Sequence, residues 1–285
     1  MKYWRAYLAL FGLALFICYT MLPVKPQTTE YVPFSQGLLI AHAGGGLKVE
    51  GTYSNSLEAL DKAVENGFSY IEVDFLAAEN GDLVLLHDWN KTYFRLFTYF
   101  PRLPFDSRLS KFVKSKSASD FESLSMRMAL TQLSLDDLIL WLQDNPTVYI
   151  ITDIKDDNLS GLTQIRDKAG DLKSRFIPQI YYFNEYNDVK NLGFEDIILT
   201  TYRLKSTVSE LREFVESNRL FGLTIPEPWA QDEFLNQFIN LDTPIFLHTI
   251  NSKVKASELI EKRVEGIYTD YLYPGSSSSA GATTK

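Results

Sequence analysis

Cysteine is nearly missing from the sequence, and Cys18 is the only one among the 285 residues. A single thiol cannot form an intrachain disulfide, so a small disulfide-stabilised fold is excluded. The chain beyond residue 18 also has no thiolate that could bind zinc or attack a substrate. Any catalytic or metal chemistry in the body of the protein must therefore use oxygen and nitrogen side chains.

The sequence also has no excess of basic residues. It contains 28 Lys and Arg and 36 Asp and Glu, which gives a net charge of −8. A nucleic-acid surface needs dense positive charge, and the acidity of this chain would repel a polyphosphate. With 45% hydrophobic and 22% charged residues, the composition is typical of a packed globular protein. The sequence therefore predicts a globular body and no nucleic-acid partner.

One long apolar run is present near the N-terminus. Residues 6–22 (AYLALFGLALFICYTML) carry no charge and follow Lys2 and Arg5, and a bilayer-spanning helix needs roughly 17 to 25 residues. We expect residues 1–22 to be a membrane anchor or a signal segment, and we favour the anchor because the run ends in bulky residues rather than a small-residue cleavage site. The basic flank predicts a membrane-anchored protein with its body outside the cytoplasm. Cleavage would instead give a secreted or periplasmic protein.

Two segments flank the expected folded body. Residues 23–36 contain three prolines and little apolar periodicity, which is typical of a stem. Residues 274–285 are dominated by Gly, Ser, Ala and Thr, which predicts a disordered tail. The folded body is therefore expected at residues 37–273.

Short apolar runs alternate with helical patterns over this body. The strand-like runs lie at Leu38–Ala43, Tyr70–Phe75, Leu83–His87, Val148–Ile154, Ile177–Tyr182, Ile197–Tyr202, Phe221–Ile225, Ile245–Ile250 and Gly266–Asp270. The helical patterns lie at Ser56–Asn66, Ser134–Gln143, Leu162–Ala169, Ser206–Ser217 and Ala256–Lys262. Strands that are apolar on both faces and separated by helices indicate a parallel sheet.

Nine such runs are one more than a closed eight-stranded barrel uses. The second and third runs are separated only by residues 76–82, which hold the turn residues Asn80 and Gly81. This segment is too short for a parallel crossover, so the two runs should form a hairpin. The predicted fold class is α/β, a TIM-type (β/α)8 barrel with an additional hairpin strand after strand 2. A long connection at about residues 90–130 predicts an inserted loop or small subdomain.

The three histidines, His42, His87 and His248, each fall at the end of a predicted strand. In a barrel of this type the carboxyl ends of the strands line the active site. Histidine can accept and donate protons near neutral pH, so two imidazoles at one rim suit a paired general acid and base.

Carboxylates mark two of the predicted strands. Glu72 and Asp74 are two residues apart, so both side chains should face the barrel interior, where two like charges need a counter-ion. Asp153 adds a third carboxylate and Lys155 a cation on the same face of another strand. Three oxygen donors suggest Ca²⁺ or Mg²⁺ rather than zinc. The alternative is that Asp153 and Lys155 merely pair with each other.

Six segments resemble, in order and approximate spacing, the glycerophosphodiester phosphodiesterase family. They are AHAGG at 41–45, YIEVDF at 70–75, NGDLVLLHDW at 80–89, ITDIK at 151–155, FLHTIN at 246–251 and GIYTD at 266–270. The resemblance implies a barrel, a divalent cation and attack on phosphorus by a neighbouring substrate hydroxyl through a cyclic phosphate. It also implies roles for six residues, namely His42 and His87 as acid and base, Glu72, Asp74 and Asp153 as metal ligands, and Lys155 as the phosphate-contacting cation.

The chain departs from the family pattern where the substrate is recognised. Ala43 replaces the arginine that follows the first histidine, and Ser54 replaces a glutamate, while Asn55 is kept. Asp153 is shorter than the usual glutamate ligand, and His248 replaces a tryptophan. We therefore expect a divergent headgroup or a different phosphodiester.

Further substrate contacts are expected around Lys155. Gly44 and Gly45 leave room for a phosphate to approach the backbone amides, although they also suit a flexible strand-to-helix loop. With Asn55 and His248, these glycines complete the predicted substrate-binding set.

The predicted function is metal-dependent hydrolysis of a glycerol-type phosphodiester by His/His acid–base catalysis with a divalent cation. One alternative is phospholipase C or D-like cleavage of a lysophospholipid. Another, motivated by Ala43 and Ser54, is a catalytically inactive barrel that binds phospholipid or glycan. The expected partners are a phosphodiester or lysophospholipid substrate and, through the N-terminal segment, a membrane.

Overall fold

The computed structural model of the chain describes residues 32–47, 53–97, 114–238 and 240–275. The predicted anchor at 1–22, most of the predicted stem and most of the predicted tail lie outside the described residues, as does the middle of the 90–130 insertion. No helix among the described residues has the length and apolar character needed to cross a membrane.

Eleven strands are present in the described ranges. In chain order they are β1 (Val32–Phe34), β2 (Leu38–Ala41), β3 (Tyr70–Ala77), β4 (Leu83–Leu85), β5 (Tyr149–Ile154), β6 (Phe176–Ile180), β7 (Ile198–Thr200), β8 (Gly222–Pro226), β9 (Ile245–His248), β10 (Gly266–Thr269) and β11 (Leu272–Pro274). Eight of them form a parallel sheet in the order β2-β10-β9-β8-β7-β6-β5-β3. Pairing of Ala41 with Ile71 joins β3 back to β2 and closes the sheet. The predicted TIM-type barrel is confirmed.

The extra strand β4 is bonded to β3 outside the barrel. Phe75 to Ala77 pair antiparallel with Leu85 to Leu83, and the turn between them contains Gly81 at a φ of +86°, a left-handed conformation that glycine adopts without strain. The hairpin predicted from the short connection is therefore confirmed. It returns the chain to the barrel rim just before His87.

Two separate apolar clusters fill the barrel and its surface. The interior cluster takes one buried residue from each of six barrel strands: Ile40, Ile151, Ile177, Ile198, Phe246 and Tyr268. A much larger cluster joins the outward faces of the strands to the helices. Because each strand is buried on both faces, its sequence is a continuous apolar run rather than an alternating one.

Helices cover the outside of the barrel. In chain order they are α1 (Leu57–Glu65), α2 (Lys91–Phe97), α3 (Ala118–Glu122), α4 (Leu135–Asp144), α5 (Asn158–Ala169), α6 (Glu185–Asn191), α7 (Val208–Ser217), α8 (Asp232–Leu235) and α9 (Lys253–Glu261). All five predicted helices are present. The side chains of Ser56, Ser134 and Thr207 each accept a backbone N–H bond three residues later, which explains where α1, α4 and α7 begin.

Two helices differ from the sequence-based expectation. The Asp157 side chain caps α5, so this helix begins at Asn158, four residues before the predicted start. The α6 helix was not predicted, and its only buried residue is Val189. A helix that buries so little leaves no apolar periodicity to detect in the sequence.

The described part of the insertion packs as a small layer over the β3–β4 hairpin. Leu76, Val84 and Leu86 on the hairpin form a third apolar cluster with Phe121 and Met126. Aromatic rings of α2 and of the preceding loop extend this cluster. The predicted inserted loop or small subdomain is therefore, in the part that the structure describes, a layer packed on the hairpin.

The two ends of the described chain meet beside the barrel. β1 pairs in parallel with β11, with Val32 opposite Leu272 and Phe34 opposite Pro274, and Phe34 is buried. β1 lies within residues 23–36, the range predicted to be a stem. The described structure therefore includes a strand that begins five residues before the predicted start of the folded body.

The barrel interior depends on glycines that face the Phe246 ring. A Cβ atom on Gly222 would overlap the Phe246 ring, and one on Gly266 would lie 2.6 Å from it. Both glycines are on strands that neighbour the Phe246 strand. The ring therefore fills the space that two missing side chains leave.

We predict that Gly222→Ala destabilises the fold by about 1–3 kcal/mol, because the added methyl group overpacks the barrel interior. Urea unfolding gives the free energy of unfolding. In a double-mutant cycle with Phe246→Leu, the double variant should lose less stability than the sum of the two single variants, because the smaller side chain removes the overlap. Additive losses would contradict this account of the interior.

Candidate active site

The predicted site residues lie at the carboxyl ends of the barrel strands. His42 follows β2 directly, in a 3₁₀ turn that spans His42–Gly44. Asp74 and Asp153 face each other across β3 and β5, and β9 ends at His248. These ends meet at one rim because the strands are parallel, which is where barrels of this type carry their active sites.

A cluster of three buried carboxylates lies just inside this rim. Glu72, Asp74 and Asp153 each offer one oxygen, and these oxygens lie within 4.8 Å of one another. The exposed fractions of the three residues are 2%, 1% and 8%. The strand alternation inferred from the spacing of Glu72 and Asp74 therefore does bring the three acids together.

Lys155 lies against this cluster. Its Nζ is 2.7 Å from Oδ1 of Asp74 and 2.6 Å from Oδ2 of Asp153. Burial lowers the pKa of Lys155, but the charges of Asp74, Asp153 and Glu72 outweigh burial and raise it above its ordinary value. The Asp153–Lys155 pair that the sequence offered as an alternative is present, and the ammonium also bridges to a second acid.

Asp153 also accepts hydrogen bonds from two tyrosine hydroxyls. Tyr181 Oη donates to Oδ1 of Asp153, and Tyr202 Oη lies 3.2 Å from the same oxygen. Burial raises the pKa of Asp153, but the charge and hydrogen bond of Lys155 and the hydrogen bond from Tyr181 lower it below its usual range. Asp153 is therefore held as a carboxylate.

Glu72 is the least compensated acid of the cluster. Its Oε2 accepts a 2.7 Å hydrogen bond from the backbone N–H of Ala43. Burial, followed by the charge of Asp74, raises the pKa of Glu72 to about 8, against the lowering effect of His42 and Lys155. When all three carboxylates are ionised, one ammonium leaves two negative charges to be balanced, and oxygen ligands suit a hard cation. The donor set therefore fits a divalent cation.

Asn55 positions Asp74 rather than lying free in the site. Nδ2 of Asn55 donates to Oδ2 of Asp74 over 2.9 Å. In return, the backbone N–H of Asp74 donates to Oδ1 of Asn55 over 2.9 Å. Asn55 is fully buried. The asparagine that the sequence predicted as a substrate contact is thus engaged through both ends of its amide in fixing a carboxylate.

His42 is oriented by an acid from the last barrel strand. Its Nδ1 lies 2.9 Å from Oδ1 of Asp270, and Asn251 holds Asp270 through two hydrogen bonds of 2.7 Å. Burial lowers the pKa of His42, but the hydrogen bond to Asp270 and the charges of Glu72, Asp270 and Asp74 raise it from 6.5 to about 9. The contact with Asp270 leaves Nε2 as the ring atom available for proton transfer.

His87 has a similar arrangement at the other predicted catalytic position. Its Nδ1 lies 2.9 Å from Oδ2 of Asp88. The same oxygen accepts a hydrogen bond from the Thr92 hydroxyl, and Oδ1 of Asp88 accepts one from the backbone N–H of Asn90. Burial raises the pKa of Asp88, but the hydrogen bonds from His87 and Thr92 lower it below its usual range. A carboxylate that stays ionised can hold the imidazole in one orientation.

Tyr53 places the two imidazoles in relation to each other. Its ring lies 4.6 Å from the His42 ring and 5.2 Å from the His87 ring, edge to face with both. The two histidines that the sequence predicted to converge therefore contact the same aromatic ring. His87 is the more accessible of the two, with 37% of its side chain exposed, against 10% for His42.

The remaining predicted substrate contacts lie at the same rim. Gly44 and Gly45 have φ angles of +83° and +98°, and both are buried against α1 near Ala59. His248 is half-buried, and its ring lies 6.0 Å from Tyr202 and 6.2 Å from Tyr268. Burial, together with the charge of His42, lowers the pKa of His248 to about 4, so its imidazole is neutral near pH 7.

Sequence reasoning missed several residues of this site. They are Tyr53, Tyr181, Tyr202, Arg203, Asn251 and Asp270. Asp270 and Tyr202 each end a predicted strand, so their position at the rim was the available signal. No spacing pattern indicated that Asp270 contacts His42, 228 residues away along the chain.

We predict that Asp270→Asn lowers the pKa of His42 by at least about one unit, because it removes a negative charge and a charged hydrogen-bond acceptor. Histidine titration by NMR in the metal-free protein measures this shift, and with three histidines assignment by substitution is direct. The folded-state pKa, about 9, lies above the ordinary 6.5, so the stabilisation from protonated His42 is complete below pH 6.5 and is lost as the pH rises through 9.

Asp270→Asn should therefore cost more stability near pH 6 than near pH 10, by about 1–2 kcal/mol. Urea unfolding of the metal-free protein at the two pH values gives the difference. An equal loss at both would show that Asp270 does not stabilise the charged imidazole.

The chain is similar to known phosphodiesterases in sequence and in fold. The model of the glycerophosphoryl diester phosphodiesterase family matches residues 42–172, while no curated protein matches significantly. A glycerophosphodiester phosphodiesterase from Thermotoga maritima is similar at 19% identity with a TM-score of 0.63, over 84% of this chain and 96% of the other. One from Parabacteroides distasonis has 16% identity and a TM-score of 0.61, over 83% and 94%.

A third similar structure is a phosphodiesterase from Oleispira antarctica in complex with the product sn-glycerol-3-phosphate, at 15% identity and a TM-score of 0.62, over 83% of this chain and 94% of the other. At these identities the structures show the shared fold. The family match covers His42, His87 and the carboxylate cluster. Residues 42–172 match the glycerophosphoryl diester phosphodiesterase family, and the chain shares the fold of known phosphodiesterases, which together support a phosphoric diester hydrolase.

Proposed function

We propose that the chain hydrolyses a glycerol-type phosphodiester by acid–base catalysis with His42 and His87. The observation that carries the proposal is the contact of both imidazoles with Tyr53, at the rim that also holds the buried carboxylates. Each imidazole has its Nδ1 against an acid, so each has Nε2 for the substrate. Paired proton donors and acceptors are what phosphodiester cleavage needs.

Glu72, Asp74 and Asp153 would hold the divalent cation, Ca²⁺ or Mg²⁺. When bound, such a cation withdraws charge from a phosphoryl oxygen and favours the ionised form of an attacking hydroxyl. Support comes from the buried, all-oxygen donor set and from the raised pKa of Glu72. The contacts of Asn55 with Asp74 and of Tyr181 with Asp153 fix two of the ligands before any ion binds.

The proton transfers follow from the partners of the two imidazoles. Asp270 stabilises the charged form of His42, which suits it to donate a proton to the leaving alkoxide as the P–O bond breaks. His87 would take the proton from the substrate hydroxyl that attacks phosphorus and forms the cyclic phosphate. Water would then open that ring with the two proton transfers reversed, which restores both imidazoles.

Substrate contacts complete the proposal. Lys155 would also donate a hydrogen bond to a phosphoryl oxygen. Its ammonium group already pairs with Asp74 and Asp153, so only part of its charge would act on the phosphate. Neutral His248, at the aromatic side of the rim, would contact the group esterified to the phosphate. Gly44 and Gly45 lie in the turn that carries His42, and their lack of side chains would leave room for the phosphate there.

We predict that His42→Ala and His87→Ala each lower kcat/KM for glycerophosphocholine by at least about a hundredfold, because each removes one proton-transfer group. Chelation of divalent ions should abolish turnover, and Ca²⁺ or Mg²⁺ should restore it to the wild type but not to Glu72→Gln. Asp136→Asn, which alters an exposed acid of α4, serves as the control and should leave turnover unchanged.

Product analysis separates the alternatives. Release of a phosphorylated or cyclic headgroup product from a lysophospholipid, without turnover of glycerophosphodiesters, would favour a phospholipase. Retained binding of phospholipid or glycan, with no turnover under any ion, would contradict catalysis and favour a binding barrel.

We also propose that residues 1–22 anchor the protein in a membrane with the barrel outside the cytoplasm. The uncharged run at 6–22 and the basic residues Lys2 and Arg5 support this proposal, because positive flanks tend to stay in the cytoplasm.

Full-length protein is expected in the membrane fraction, resistant to carbonate extraction, and a chain that begins at residue 23 is expected in the soluble fraction. Protease added from the outside should digest the barrel of the anchored protein. A soluble full-length protein with its first residues still attached would rule out the anchor, whereas a shortened soluble protein would indicate a cleaved signal.

A further inference from the structure

Arg203 is a guanidinium at the rim that neither the sequence motifs nor the proposed reaction uses. It lies in the loop after β7 and is half-buried. Its Cζ is 4.2 Å from the centre of the Tyr181 ring and 5.3 Å from that of Tyr202. Both tyrosine hydroxyls contact Asp153, so the rings that hold the guanidinium also hold a predicted metal ligand.

Stacking leaves the donors of this guanidinium available. The N–H groups of arginine lie in the plane of the group, so an aromatic ring against its face does not use them. The only hydrogen bond of Arg203 within the described part of the chain is a long one, 3.4 Å from Nη2 to the backbone oxygen of Lys155. Among the same residues it forms no ion pair with a carboxylate. A half-buried cation without an acid partner is uncommon and suggests an anionic ligand.

The topology places this cation across the rim from the catalytic histidine. In the closed order of eight strands, β7 is four strands from β2 in either direction, so Arg203 and His42 follow strands on opposite sides of the barrel. Lys155 follows β5, which lies between β3 and β6. A phosphate near Lys155 would therefore have His42 on one side and Arg203 on the other.

The charges of the site give the reason for a further cation. Three carboxylates face the rim, and Lys155 already pairs with two of them. Ala43, beside His42, brings no charge. An anionic substrate would be repelled unless additional positive charge faced it, and a planar guanidinium can bind two phosphate oxygens at once.

We propose that Arg203 binds the phosphoryl oxygens of the substrate, a site for phosphate esters that rests on the proposed phosphodiester hydrolysis. The Tyr181 and Tyr202 rings hold the guanidinium plane, and its edge N–H groups pair with the anion. Arg203 is thus a substrate-binding residue that contacts the reacting group, and it determines affinity for the anion rather than for the headgroup.

Calorimetric titration of the metal-loaded protein with inorganic phosphate and with sn-glycerol 3-phosphate tests this proposal. Arg203→Met should weaken binding of both probes by about tenfold or more, the loss expected for a charge-assisted contact. Arg203→Lys keeps the charge without the planar fork and should give a smaller loss for both. Lys205→Met, which removes an exposed cation from the same loop, should leave both affinities unchanged.

The affinity for Mg²⁺ or Ca²⁺ without phosphate distinguishes direct contact from a structural role. Direct contact predicts that Arg203→Met leaves this affinity unchanged or slightly higher, because it removes a positive charge near the cation. A parallel loss of metal affinity would mean that Arg203 acts by holding the tyrosines on Asp153, and would overturn the proposal. Unchanged phosphate binding would overturn it too, whether or not sn-glycerol 3-phosphate binds more weakly.

Two further results have a fixed meaning. If thermal unfolding shows that Arg203→Met does not fold, the test uses Arg203→Lys instead. In that case, affinities of Arg203→Lys equal to those of the wild type for both probes would overturn the proposal. If the wild type binds both probes but hydrolyses no diester, the proposed hydrolysis fails while the phosphate site stands. A wild type that binds neither probe overturns the phosphate site itself.

Discussion

Burial of three carboxylates at one end of the barrel is the constraint on which the arrangement of this site depends. Glu72, Asp74 and Asp153 are almost inaccessible to water, and charged groups in that condition raise the free energy of the fold unless they are paired. Lys155 compensates part of this charge. The remaining imbalance is visible in the pKa of Glu72, about 8. The same imbalance that costs stability in the free protein would give the site affinity for a cation.

The barrel makes this arrangement possible because its parallel strands bring distant residues to one edge. Glu72 and Asp74 share a face through the two-residue period of β3, and the register of β3 with β5 places Asp74 opposite Asp153. The buried Asn55 then fixes Asp74 through its side-chain amide. Each acid thus has a partner that comes from another strand or loop, so the geometry is set by the fold before substrate or cation binds.

Local patterns predicted those parts of the molecule in which neighbours along the chain decide the structure. The apolar runs gave the eight barrel strands, and the seven residues between Phe75 and Leu83 were sufficient to predict the hairpin. The i, i+2 spacing of Glu72 and Asp74 likewise predicted their common face. The contact of His42 with Asp270 joins residues 228 positions apart, and its detection requires the closure of the barrel. Tyr53 between the histidines, and the α6 helix with its single buried residue, are set by tertiary packing that the sequence does not display.

Asp153 connects the two halves of the site chemically. One of its oxygens accepts hydrogen bonds from the phenols of Tyr181 and Tyr202, and the other pairs with Lys155. Because Arg203 stacks on the same two rings, the carboxylate cluster and the guanidinium share one rigid aromatic support. A negative group and a positive group are thereby held close together without a direct ion pair among the described residues, since the rings contact the guanidinium and their hydroxyls contact the carboxylate. Under the proposed function, that separation would allow one rim to attract a cation and a phosphate at the same time.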